Sequence, residues 1–107
     1  MKVFTINENL KDKLVSDYKA FKAITIHYPK GLPFMRDRFF ETMVYWDKKV
    51  SDEIIDNALQ EIYKISKKIK KYCYFEGPEI QEFSTGPGII WALFDKKEVD
   101  KDYLTPS

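Results

Sequence analysis

The chain has one cysteine, Cys73, and one histidine, His27, in 107 residues. A lone cysteine forms no internal disulfide, and the two side chains together are too few for a Cys/His zinc site, so neither scaffold is expected. The same scarcity removes most nucleophilic chemistry, because Cys–His and Ser–His–Asp arrangements would both depend on His27 and no nucleophile-elbow motif occurs. His27 reads as an ordinary surface or hydrogen-bonded histidine, and Cys73 as a small buried hydrophobe. With four glycines, the chain has neither a Walker loop nor a three-glycine dinucleotide loop. No catalytic residue, metal ligand or cofactor is therefore assigned. No apolar run reaches the length of a membrane span, and the N-terminal stretch from Met1 to Glu8 has a charge where a signal-peptide core would begin. The expectation is a cytoplasmic protein with no membrane partner.

What the chain does have is apolar and aromatic content, 44% and 16% respectively, with a net charge of +1. Such a chain buries enough surface to fold and is too nearly neutral to be held open by self-repulsion. Its length suits one domain over residues 1–107, with a charged and flexible tail expected over 95–107. Lysine (16) far exceeds arginine (2), and isoleucine (11) exceeds leucine (6), a bias of AT-rich coding sequence that concerns the source rather than the activity.

Hydrophobic spacing predicts the elements. Val3–Ile6 reads as a first strand, and Asn7 or Asn9 as the cap of a helix over 9–21 with Leu10, Leu14, Tyr18 and Phe21 inward. Residues 23–28 alternate, with Ile24, Ile26 and Tyr28 on one face and Thr25 and His27 on the other. Pro29, Gly31 and Pro33 make a loop, and Phe39–Trp46 is a strand whose two faces are both apolar enough to bury. The strongest pattern is a helix over 52–71, with Ser51 as cap, acids in its first turn and lysines in its last; its inward stripe is Ile55, Leu59, Ile62, Ile69 and Tyr72, widened by Ala58 and Ile65. Short strands at 72–75 and 80–83, broken by Gly77 and Pro78, precede a turn at 84–88 and a central strand at 89–94. The economical packing is α+β: a two-layer sandwich of a mainly antiparallel sheet with both helices on one face, in the order βαββα followed by two or three strands, ferredoxin-like with an added hairpin.

Three features carry functional expectations. The aromatic strand and the apolar loop before it offer Leu32, Phe34, Met35, Arg36, Arg38, Phe40 and Trp46 as partner-binding residues, or as a self-association surface that would make a homodimer. Lys48, Lys49, Lys64, Lys67, Lys68 and Lys71 form a basic face able to meet phosphates, with Phe40 or Trp46 stacking on bases. Arginine is scarce, however, and solvated charge complementing the helix end is the simpler reading. The acids of residues 72–107 read as solvated loop and tail charge. Three Asp-X-Lys triplets of the kind metal-dependent nucleases use match the number chance predicts, about two or three for charges placed at random. The leading expectation is a small non-enzymatic protein–protein interaction module, such as an accessory or inhibitor protein of a phage or mobile element acting on a larger host protein. A nucleic-acid-binding domain and a small nucleotide-binding or metal-dependent enzyme are the alternatives.

Overall fold

A computed structural model of the chain describes residues 2–28, 38–46, 49–84 and 86–94. They form two helices and a four-stranded antiparallel sheet: α1 (Lys2–Asp17), β1 (Lys22–His27), β2 (Arg38–Tyr45), α2 (Asp52–Ile69), β3 (Tyr74–Phe83) and β4 (Gly86–Phe94). The strand order is β1-β2-β4-β3. The class is α+β, as expected, but the element order is αββαββ. Moving β4 to the front would give βαββαβ, so the place of the first strand expected at the N-terminus is taken by a strand from the other end of the chain. The sequence expectation for residues 95–107 lies outside the described residues.

The expected strand at Val3–Ile6 is instead the first turn of α1. Its β-branched residues favour a strand locally, but the buried positions of the helix are Val3, Asn7, Leu10 and Leu14. Steps of four, three and four are helical, and Asn7 conceals the pattern by placing a polar residue in the middle of the stripe. The helix also ends earlier than the spacing suggests. Its last turn closes with the Tyr18 amide on the Leu14 carbonyl, Lys19 takes a left-handed φ of 54°, and Phe21 is half exposed rather than inward.

The second helix forms where its periodicity places it. Ser51 adopts an extended conformation, and its side chain accepts from the Ile54 amide at 3.4 Å. Ile55, Ala58, Ile62, Ser66 and Ile69 are buried, whereas Tyr72, expected on the stripe, lies beyond the helix and is half exposed. The two short strands at 72–75 and 80–83 are one strand, β3. Its register against β4 advances from Glu76 opposite Ala92 to Glu79 opposite Ile90, so one extra residue is absorbed as a bulge at Gly77 and Pro78. Gly77 has a φ of 102°, which L side chains rarely adopt.

A single hydrophobic cluster holds these elements together. It joins Phe40, Val44 and Trp46 of β2 and its end, and Ile89, Trp91 and Leu93 of β4, to Val3, Leu10 and Leu14 of α1 and to Ile55, Ala58, Ile62 and Ile69 of α2. Strand β4, an inner strand as expected, has seven of its nine residues buried. No helix among the described residues is long and apolar enough to cross a membrane.

Candidate functional site

Alternation fixes which side chains share the core row and which share the opposite one. Phe40, Thr42, Val44 and Trp46 are buried with the helices, and their register partners on β4 are Leu93, Trp91, Ile89 and Pro87. The opposite row therefore carries Glu41, Met43 and Tyr45 on β2 and Ile90 and Ala92 on β4. On β3 it carries Glu76, Glu79 and Gln81, and on β1 Ile24 and Ile26. Glu41 and Glu76 flank Ala92 from its two sides, and Met43 and Glu79 flank Ile90. A shallow depression lies among Glu41, Glu76, Glu79, Gln81, Ile90 and Ala92.

Strand β1 reverses its expected polarity. Ala23, Thr25 and His27 pair with Val44, Thr42 and Phe40 of the core row, so Ile24 and Ile26 point away from it. The cause is a hydrogen-bonded chain under α1. Trp91 Nε1 donates to Asn7 Oδ1 at 2.7 Å, and Asn7 Nδ2 donates to Thr42 Oγ1 at 2.9 Å. The hydroxyls of Thr42 and Thr25 lie 3.2 Å apart, and Thr25 donates to Glu8 at 3.0 Å. Because the Thr25 hydrogen goes to the carboxylate, the shared bond must be donated by Thr42, which orients the chain from indole to carboxylate. Turning Thr25 outward would break it and leave Thr42 buried and under-satisfied.

The predicted contact residues divide three ways. Phe40 and Trp46 are core residues, each only 2% exposed, and Trp46 also donates from Nε1 to the Tyr18 carbonyl at 3.3 Å. Their expected role as a contact or stacking surface is corrected: the row they occupy is the one the helices cover. Arg38 lies on the opposite row, across from Phe94, and is already engaged. It pairs with Glu41 at 3.2 Å and stands over the rings of Tyr28 and Phe94 at 5.2 and 5.1 Å, while Tyr28 donates to Glu41 at 3.1 Å. Leu32, Phe34, Met35 and Arg36 lie outside the described residues, as does Lys48.

Lys49, Lys64, Lys67, Lys68 and Lys71 are all exposed, as a solvated face requires. Lys64 and Lys68 border a groove between the helices, together with Lys13, Glu61, Ile6 and Ile65. Within that groove Lys13 and Glu61 pair at 2.9 Å, which raises the ammonium pKa and lowers the carboxyl pKa, in each case chiefly through their mutual hydrogen bond. Among the described residues no three His, Cys, Asp or Glu side chains converge to hold a metal ion. His27 is exposed, with its ring 5.1 Å from that of Phe4, and Cys73 is buried.

Sequence reasoning left either row of the aromatic strand, Phe39, Met43 and Tyr45 or Phe40, Val44 and Trp46, as the open one and chose its contact residues from the second; the residues it did not single out are Ile24, Ile26 and Ile90 of the opposite row. The alternation at 23–28 was a usable signal for the isoleucine pair, but the side it faces depends on Asn7 and Thr42, which are remote in sequence. The chain matches no family model, no curated protein and no solved structure.

Proposed function

We propose that the protein is a small non-enzymatic interaction module, a two-layer domain that docks on a larger protein through the sheet row opposite its helices. The observation that carries this reading is the reversed polarity of β1. A strand that turns a threonine and a histidine toward the helices and two isoleucines away from them places apolar area on the side that, among the described residues, the helices do not cover. Met43, Tyr45 and Ile90 extend that area across three strands, and Glu76 and Glu79 are exposed beside it. An apolar centre with an acidic margin suits a partner surface that is apolar with basic groups around it. Glutamates beside the row disfavour stacked nucleic acid there, since phosphates would meet like charge. An accessory or inhibitory role toward a host protein is the narrower form of the same proposal.

The test is affinity capture from the native host's lysate, with and without nuclease, using the wild-type chain and an Ile90→Lys variant checked for native circular dichroism. A stoichiometric, nuclease-resistant protein retained by wild type and lost with Ile90→Lys supports the reading. Retention unaffected by Ile90→Lys, or capture that disappears with nuclease, overturns it; the latter transfers the function to the lysines of α2.

A further inference from the structure

We infer that β1 is the pairing edge of a symmetric dimer, in which the β1 strands of two copies join their sheets into one. The two edges of the sheet differ. Strand β3 carries a bulge, a proline without an N–H and the exposed acids Glu76, Glu79 and Glu82, all devices that discourage strand addition. Strand β1 has none of these: Lys22–His27 pairs without a register break and, among the described residues, with β2 alone.

The backbone of β1 is self-complementary in one register. The Tyr28 amide donates to the Phe39 carbonyl, which continues the β1–β2 pairing and, by alternation, directs the amides and carbonyls of Ile26 and Ile24 toward β2. Those of Ala23, Thr25 and His27 point outward. A second β1 set antiparallel with Thr25 opposite Thr25 brings Ala23 opposite His27 and satisfies every outward amide and carbonyl of both strands. A shift by two residues in either direction leaves outward groups of both strands unpaired.

The side chains favour the same register. Ile24 falls opposite Ile26 of the second copy, so the dimer covers Ile26, which is 37% exposed in the single chain. Lys22 falls opposite Tyr28 rather than another lysine, so no like charges meet directly. Residues of one parity share a face, and this pairing keeps the isoleucine rows of both copies on the same side. The occupant is a second copy because the strand completes itself in this register without requiring any partner sequence.

Sedimentation equilibrium of the purified full chain, from about 1 to about 500 µM, tests this independently of the proposed docking partner. The expected result is conversion of the 12.7 kDa species to twice that mass as concentration rises. Ile26→Lys sets the new ammonium opposite Glu41 within its own chain, so the fold is retained, while the dimer dissociation constant rises at least tenfold. Ala23→Pro removes one outward N–H, leaves the bonds to β2 intact, and has the same effect. An oxidised mixture of Ile24→Cys and Ile26→Cys chains forms the mixed disulfide preferentially, since these positions face each other at about 4.5 Å between Cα atoms in the register described. A mass of 12.7 kDa across the whole range overturns the inference, as does a dimer that both substitutions leave intact.

Discussion

The indole N–H of Trp91 reaches the side-chain oxygen of Asn7 at 2.7 Å, across 84 positions of sequence, and both side chains are buried. This contact anchors the first helix to an inner strand. Leaving either partner alone strands a polar group in the core, so Asn7→Leu is expected to cost about 1–3 kcal/mol although it adds apolar volume. Urea unfolding monitored by tryptophan fluorescence measures it. A double-mutant cycle with Trp91→Phe should show positive coupling, and a loss below about 0.5 kcal/mol for Asn7→Leu would mean that the network does not hold the helix.

Trp46→Ala should unfold or severely destabilise the protein, by about 3–5 kcal/mol, because the indole is 2% exposed and packs within the cluster shared by both helices. Thermal unfolding followed by circular dichroism is the measurement. A variant that keeps its native melting temperature would return Trp46 to the list of surface residues.

Gly88→Ala adds a methyl where the protein has no room. The new Cβ would lie 2.4 Å from one ring carbon of Phe83 and 3.0 Å from the Val44 carbonyl oxygen. The ring itself packs edge-on against Tyr45 with centroids 4.7 Å apart, so its displacement disturbs a second contact. The expected cost is about 1–3 kcal/mol, measured by chemical denaturation. Phe83→Leu should remove part of that penalty in the double variant, and simple additivity of the two changes would argue against the clash.

The bond between Lys13 and Glu61 links the two helices at the surface. Its signature is a Glu61 carboxyl that titrates below the ordinary glutamate range and a Lys13 ammonium that titrates above the ordinary lysine range. For Glu61 the stabilising contribution is present above its unfolded pKa and is lost as pH falls through the folded one. For Lys13 it is present below the unfolded pKa and lost as pH rises through the folded one. Carboxyl-carbon NMR titration should show the Glu61 midpoint return to the ordinary range in Lys13→Met. The effect should shrink with added salt, since the pair is exposed to solvent.

Much of the secondary structure follows from local chemistry. Residues 52–69 read as a helix because the cap, the end charges and the apolar spacing all agree, and β1, β2 and β4 read as strands from their β-branched and aromatic content. The start of α1 does not read, because Asn7 interrupts its stripe and its burial is tolerable only beside Thr42 and Trp91, 35 and 84 positions away. Nor does the continuity of β3, where Gly77 and Pro78 resemble a break until β4 absorbs the extra residue as a bulge.

The candidate surface divides along the same line. Composition and spacing by themselves determine an α+β chain with an aromatic strand, a basic helix face and a set of apolar strand residues to place, because periodicity and propensity act over a few neighbouring positions. They do not determine which row of each strand meets the helices. Tertiary structure decided that Phe40 and Trp46 are core, and that Ile24 and Ile26 face outward. The buried Thr42 hydroxyl, which already accepts from Asn7, needs Thr25 on the inner side as its acceptor, and alternation then turns both isoleucines to the other.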